Sequence, residues 1–141
     1  MPELIYKEES YQIMGVLFDV HSNLGGGFSE IVYKDALEYE FKSLNIPYER
    51  EKEYCVNYKS IVLNHKFYAD FVLFNKIILE IKSSENLHPK YYSQCLNYLK
   101  VSDNNLAILA NFNATSLEYK RKVKKKKFVN SWLKKPTTKK L

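Results

Sequence analysis

Hydrophobic residues recur every three or four positions near the start of the chain, whereas from residue 48 they recur mostly at every second position. The first spacing gives a helix one apolar face, and the second gives a strand one apolar face. The pattern predicts helices over 8–23 and 30–44, strands over 48–58, 67–74, 77–82 and 106–112, and a third helix that begins at His88-Pro89. Ser10 and Ser29 are predicted to cap the first two helices, because a serine hydroxyl can accept a hydrogen bond from the first turn.

The order of these segments predicts an α/β fold. Strand 48–58 has one charged face, which indicates a position near the edge of a sheet. Segments 67–74 and 77–82 are more continuously apolar and predict a hairpin of central strands. The third helix then crosses over to strand 106–112, so we expect a mixed central sheet flanked by helices.

The net charge of +6 is unevenly distributed along the chain. The last 22 residues hold 11 basic and no acidic residues, which leaves 11 basic and 16 acidic residues, a net of −5, in 1–119. We therefore expect one domain over 1–119 and a basic tail over 120–141, partly docked through Phe128, Val129 and Trp132. The tail either neutralises phosphates of a nucleic acid or stays solvated at a frayed terminus.

Composition also limits the setting in which the protein works. No apolar run approaches the ~20 residues that a membrane-spanning helix needs. The first residues lack the basic and then apolar pattern of a signal peptide. Cys55 and Cys95 are too few for a disulfide framework. We therefore expect an intracellular, cytoplasmic protein without a membrane partner.

Charged residues inside the two most apolar strands are candidates for chemistry, because burying an unpaired charge is costly. Asp70 interrupts 67–74, and Glu80 and Lys82 interrupt 77–82. Glu80 and Lys82 project to the same side of their strand because they are two positions apart. Two interpretations remain open. One is a buried salt bridge between Lys82 and a carboxylate, and the other is a pair of oxygen ligands for Mg²⁺ or Mn²⁺ beside an ammonium group.

The length of the hairpin loop decides whether the two carboxylates meet. A two-residue turn at Asn75-Lys76 would place Asp70 opposite Ile81 and on the other face of the sheet from Glu80. Convergence of Asp70 and Glu80 therefore predicts either a loop with an odd number of residues or a β-bulge.

Three motifs resemble those of one nuclease superfamily. Asp70 followed by Glu80-Ile81-Lys82 is similar to the Asp…(Asp/Glu)-x-Lys signature of the PD-(D/E)XK nuclease superfamily. Residues 27–33 (GFSEIVY) resemble the motif of the GxxExxY family, a branch of that superfamily. Residues 94–98 (QCLNY) resemble the Q-x-x-x-Y motif of RecB-type and lambda-exonuclease-like members. The resemblance implies a restriction-endonuclease-like fold with an αβββαβ core.

The resemblance also implies a role for each matching residue. The implied ligands of Mg²⁺ or Mn²⁺ are Glu30, Asp70, Glu80 and the carbonyl group of Ile81. The implied catalytic residues are Asp70, Glu80, Lys82 and Gln94. Lys82 would orient the attacking water or stabilise charge on the phosphate, and Gln94 would hold that water or Lys82. Nucleic acid would contact Tyr98, Lys120, Arg121, Lys122, Lys124, Lys125, Lys126 and Lys127.

Several of these positions also have a structural explanation. Glu30 would favour the start of helix 30–44 through the helix dipole. Gln94 and Tyr98 could form an ordinary pair on one helix face. Gly25–Gly27 could be a plain loop or a loop that cradles a phosphate, and Tyr33 could be a core residue.

The implied function is that of a metal-dependent nuclease, a hydrolase that cleaves phosphodiester bonds in DNA rather than RNA. Two alternatives stay open: a non-catalytic nucleic-acid-binding or interaction module on the same fold, and a nuclease subunit that is active only with a partner. Assembly with a second copy or with a partner protein also stays open.

Overall fold

The computed structural model describes residues 5–124 of the chain. Its elements are α1 (Lys7–Leu24), α2 (Glu30–Ser43), β1 (Tyr48–Tyr58), β2 (Ile61–Leu73), β3 (Ile77–Lys82), α3 (Pro89–Val101), β4 (Leu106–Asn111) and β5 (Glu118–Val123). No helix within 5–124 is long and apolar enough to cross a membrane. This order confirms the predicted α/β class, and β5 is added after the αβββαβ core.

The five strands form one mixed sheet in the order β1-β2-β3-β4-β5. Strands β3 and β4 are parallel, and every other neighbouring pair is antiparallel. Helix α3 connects the parallel pair, because a parallel connection needs a crossover rather than a tight turn. Strand β1 lies at one edge of the sheet, as its charged face predicted.

Helices cover both faces of this sheet. Leu17 of α1 and Leu37 of α2 are fully buried against one face, together with Ile108 of β4. Cys95 and Leu99 of α3 pack on the opposite face. Both cysteines are free thiols. Since β3 and β4 are enclosed from both sides, any charged side chain on β3 must find its partners inside the protein.

The basic segment begins as a strand of the sheet. Strand β5 pairs antiparallel with β4, from Asn111–Glu118 to Leu106–Val123. The predicted boundary between residues 119 and 120 therefore falls inside β5. The rest of the predicted tail lies outside the described residues, and this part includes Lys125, Lys126, Lys127, Phe128, Val129 and Trp132.

The first helix begins earlier than predicted, and Ser10 is not its cap. Tyr6 occupies the N-cap position with a left-handed φ of 53°, and Glu8 and Glu9 lie in the first turn, where the helix dipole favours negative charge. Ser10 lies inside the helix and is buried, and its Oγ atom has no hydrogen-bond partner. Ser29 does occupy the N-cap position of α2, but its side chain makes no capping hydrogen bond.

Candidate active site

The loop between β2 and β3 sets the register that the carboxylates need. The last paired residues of the hairpin are Leu73 and Ile77, so the loop has three residues, 74–76. Phe74 and Asn75 take left-handed conformations with φ of 56° and 59°. The predicted odd-length loop is confirmed, and it places Asp70 and Glu80 at facing positions of β2 and β3.

Asp70 and Glu80 exchange hydrogen bonds with the opposite strand where the regular pairing ends. The backbone pairing of β2 with β3 runs from Leu73–Ile77 to Phe71–Leu79. Beyond it, the Asp70 N–H donates to Oε2 of Glu80 at 2.7 Å, and the Ile81 N–H donates to Oδ2 of Asp70 at 2.7 Å. Each carboxylate thus accepts an N–H that a backbone carbonyl would otherwise have bonded. Both acidic groups are held between the same two strands.

Burial gives Glu80 an unusual proton affinity. Its side chain lies in the centre of the sheet, and the residue is only 3% exposed. Burial, and next the negative charge of Asp70, raise the pKa of Glu80 to about 8, although the Asp70 N–H and the Lys82 and Lys34 ammonium groups act in the opposite direction. A cation bound beside this carboxyl group would favour its ionised form and so lower its pKa.

The ammonium group that contacts Asp70 belongs to Lys34, a residue that the sequence did not single out. Lys34 Nζ lies 3.0 Å from Oδ1 of Asp70 and 2.8 Å from Oε2 of Glu51. Burial alone would lower the pKa of Lys34, but the hydrogen bonds to Glu51 and Asp70 outweigh it and raise that pKa. One sequence signal was available: Lys34 follows Glu30 by four residues, so both lie on the same face of α2.

Beside Lys34, the side chains of strands β1 and β2 switch from one face of the sheet to the other. Phe71 packs under α1 and α2, whereas Ala69, two residues earlier, packs under α3. On β1, Tyr48 and Tyr54 likewise lie on opposite faces. Glu51, between those two tyrosines, has a φ of 54°, which rotates the strand at this point. This switch of faces brings the carboxylates of Glu51 on β1 and Asp70 on β2 toward the Lys34 side chain of α2.

Lys82 has a different environment from the one predicted by the salt-bridge interpretation. Its Nζ atom lies 4.6 Å from the centre of the Tyr91 ring, in a cation–π contact. Within 5–124 the ion pair to Asp70 is made by Lys34, and no ion pair involves Lys82. The charge of the Lys82 ammonium lowers the pKa of Glu80, yet this ammonium is not bound to any carboxylate of the described residues.

The Glu30 side chain, at the start of α2, reaches the end of β3, where it contacts Ser83, the residue after Lys82. Its Oε2 atom accepts a hydrogen bond from the Ser83 N–H at 3.4 Å. The Ser83 hydroxyl donates to the Phe28 carbonyl at 2.6 Å, which ties the start of α2 to the same place. No group of three or more His, Cys, Asp or Glu side chains in the described chain is arranged to hold a metal ion. A metal role for Glu30 and for the Ile81 carbonyl stays a prediction.

The glycine-rich loop before α2 has a structural role. Gly25 and Gly27 have φ of 69° and 102°, and a Cβ atom on Gly26 would collide with the Asn113 carbonyl oxygen. The Tyr33 hydroxyl donates to the Gly25 carbonyl at 2.6 Å, and its ring stacks on Phe112 with centroids 4.6 Å apart. The residues of the G-x-x-E-x-x-Y motif thus fix the entry to α2, and with it Lys34.

Helix α3 places its two motif residues, Gln94 and Tyr98, in different environments. The Tyr98 hydroxyl donates to the Tyr68 carbonyl at 2.7 Å, and the residue is buried. Burial raises the pKa of Tyr98. This hydrogen bond goes to the sheet, whereas Gln94 is exposed to solvent. A contact of Tyr98 with Gln94 or with a phosphate stays a prediction. Gln94 therefore stays a candidate for holding the attacking water or Lys82.

The described basic residues of the C-terminal segment lie on several surfaces. Lys120 is exposed, and Arg121 donates to the Ile5 carbonyl at 3.0 Å. Lys122 lies over the Tyr92 ring, 5.0 Å from its centre, and Lys124 donates to the Ser102 carbonyl at 3.1 Å. These contacts show that the segment packs onto the sheet and α3. Nucleic-acid binding by these residues stays a prediction.

Comparisons with known proteins agree with this fold. A family model described as the PD-(D/E)XK nuclease superfamily matches residues 7–124. The crystal structure of SSO0001 superposes with a TM-score of 0.53 at 20% sequence identity, covering 89% of this chain and 60% of that one. The alkaline exonuclease LHK-Exo from Laribacter hongkongensis superposes with a TM-score of 0.51 at 8% identity, covering 95% of this chain and 77% of that one. No curated protein matches the chain. At these identities the two structures show the fold alone, and the match of the family model does not reach the level of the GxxExxY branch, which stays a prediction.

Proposed function

The chain belongs to the PD-(D/E)XK nuclease superfamily, and on that premise we propose that it is a divalent-metal-dependent nuclease that hydrolyses phosphodiester bonds in DNA. The observation that carries this proposal is the exchange of hydrogen bonds that holds Asp70 and Glu80 between β2 and β3. A purely structural ion pair would not need two carboxylates at facing positions, because like charges at close range repel each other.

The chemistry of the site fits a divalent cation. Asp70 and Glu80 offer hard carboxylate oxygens, and Mg²⁺ is commonly bound by one or two carboxylates, with water and substrate oxygens completing its shell. Asp70 already binds one positive charge, since the Lys34 ammonium lies 3.0 Å from its carboxylate. Asp70 and Glu80 would hold the ion, with the Ile81 carbonyl and Glu30 as further candidates. When bound, the ion would polarise the phosphoryl oxygen and lower the pKa of a bound water.

The remaining residues act on the substrate and on the attacking water. The Lys82 ammonium, free of carboxylate partners among the described residues, would stabilise the negative charge that develops on the phosphate. Exposed Gln94 would position the water. Basic residues of β5 and of the segment after it would contact the polymer's other phosphates, which predicts salt-sensitive binding.

A second function is favoured by one observation. Lys34 neutralises Asp70 and is itself held by Glu51, as expected if the site is a structural ion-pair network in a non-catalytic nucleic-acid-binding module. The choice of DNA over RNA rests on the superfamily resemblance, so the test includes both polymers.

A cleavage assay separates these functions. The purified protein is incubated with single- and double-stranded DNA and RNA, in Mg²⁺, in Mn²⁺ or in EDTA. We expect cleavage of DNA that requires the metal, is abolished by Asp70→Ala, and is reduced roughly 10²–10³-fold by Lys82→Ala, which removes one charge-stabilising group. Asp35→Ala, which removes an exposed carboxylate of α2 paired with Arg50, is the matched control and should keep full activity. Salt-sensitive binding without cleavage of any substrate would support the non-catalytic function instead.

A further inference from the structure

We propose that Lys34 is the internal counter-ion of Asp70 in the metal-free protein, and that a divalent cation must displace its ammonium group to bind between Asp70 and Glu80. The inference rests on the metal site of the proposed function and adds a residue that sets how tightly that site binds its ion.

The ion pair is enclosed, unlike an ordinary surface pair. The side chains of Lys34 and Asp70 are each 13% exposed, and their charged atoms are 3.0 Å apart. Exposed pairs contribute little because water screens them. In this enclosed place the ammonium group strongly opposes the approach of a second cation to the same carboxylate.

The lysine comes from a helix that is fixed in place. Tyr33 and Leu37, which flank it on α2, are fully buried. The Tyr33 hydroxyl is bonded to the Gly25 carbonyl at 2.6 Å. Because its backbone is anchored, Lys34 can leave Asp70 only by a change in its own side-chain conformation.

Glu51 gives the displaced ammonium group a partner. Lys34 Nζ already lies 2.8 Å from Oε2 of Glu51, whose side chain is 50% exposed, against 13% for Asp70. A lysine that shares two carboxylates can release the buried one and keep the exposed one. The ammonium is then never left unpaired inside the protein, which would be the costly state.

Two substitutions move metal affinity in opposite directions. Lys34→Met removes the competing charge while keeping most of the side-chain volume, so we expect the dissociation constant for Mn²⁺ to fall about tenfold or more, equivalent to about 1.4 kcal/mol. Glu51→Gln removes the alternative partner and keeps Lys34 on Asp70, so we expect that constant to rise several-fold.

Each variant has a matched control in the same part of the protein. Arg50→Met removes another cation that links β1 to α2, through Asp35 and Glu38. Glu49→Gln removes a carboxylate of β1 that is 49% exposed and paired with Lys52 rather than Lys34. We expect both controls to bind Mn²⁺ as the wild type does.

The test is Mn²⁺ binding to the full chain without nucleic acid, measured by isothermal titration calorimetry and by the electron paramagnetic resonance signal of free Mn²⁺. Circular dichroism verifies the folding of each variant, and Glu51→Gln provides a test if Lys34→Met does not fold. If the wild type binds Mn²⁺ and both variants bind it with the wild-type constant, the role of Lys34 is refuted while the proposed function stands. If only Lys34→Met binds Mn²⁺, the role of Lys34 stands and the proposed metal-dependent function fails. If no variant binds Mn²⁺ in the millimolar range, both are refuted.

Discussion

Replacing Glu80 with glutamine should stabilise the metal-free protein relative to the wild type, and by more as the pH rises. Glutamine keeps the shape of the side chain and can still accept the hydrogen bond that the Asp70 N–H donates at 2.7 Å. It lacks the negative charge that burial and Asp70 make unfavourable. The substitution therefore isolates the free energy of holding an ionised carboxylate inside the sheet.

The direction and size of the effect follow from the pKa. The pKa of Glu80 is raised from 4.5 to about 8 by folding, so between these values the folded protein keeps a proton that the unfolded chain releases. The stabilising contribution of the protonated Glu80 is complete below pH 4.5 and is lost as the pH rises through 8. Each pH unit in this interval costs the wild type about 1.4 kcal/mol, with an upper limit of about 5 kcal/mol over the whole interval, because Asp70 shares the charge change.

Urea unfolding of both proteins in EDTA, at about pH 5, 7 and 9, measures this difference. We expect the advantage of Glu80→Gln in the free energy of unfolding to grow with pH. Glu38→Gln is the control without a pH trend in this range, because hydrogen bonds from Tyr48 and Arg50 lower the pKa of Glu38 from 4.5. The advantage of the wild type over this variant is therefore constant above pH 4.5 and is lost only as the pH falls through the lowered pKa. A difference between wild type and Glu80→Gln that stays constant with pH would refute the reasoning.

Substitutions at three further positions test the surroundings of the site. Gly26→Ala should lower the free energy of unfolding by roughly 1–3 kcal/mol in urea, because the new Cβ collides with the Asn113 carbonyl; an unchanged midpoint would contradict the close approach. Tyr98→Phe should cost about 1 kcal/mol in the same measurement and leave cleavage per folded molecule intact, because its hydroxyl bonds the sheet; loss of cleavage alone would indicate a role in catalysis. Tyr91→Leu should lower the turnover number more than it changes the Michaelis constant, and Tyr91→Phe should restore it, because either aromatic ring keeps the cation–π contact with Lys82; equal effects of the two would contradict that contact.

The sequence was most informative where burial and spacing determine the structure. The apolar runs of β3 and β4 identify central strands because both faces of those strands are covered. That the β2–β3 loop has an odd number of residues could be argued from Asp70 and Glu80 alone, since a register shift of one residue moves a side chain to the other face of the sheet. The first half of β2, residues 61–66, escaped this reasoning because it is exposed on both sides, and its three apolar residues at 61–63 do not alternate with polar ones.

The contacts that the sequence did not identify depend on tertiary position. Lys34 contacts Glu51 and Asp70 only because α2 packs across β1 and β2 at the point where the side chains of both strands switch faces of the sheet. The left-handed conformation of Glu51 gives no sequence signal, since it is not a glycine. Tyr98 fitted the nucleic-acid motif by spacing, but its hydrogen bond depends on the distance between α3 and the Tyr68 carbonyl.

Anomalous X-ray scattering from crystals grown with Mn²⁺ locates the bound ion independently of any activity. We expect a manganese peak bound by carboxylate oxygens of both Asp70 and Glu80 at about 2.0–2.6 Å. We also expect that the Lys34 ammonium has left Asp70 and kept Glu51. A crystal with no manganese peak between the two carboxylates, and with the contact of Lys34 to Asp70 unchanged, would contradict the proposed metal site and the role of Lys34.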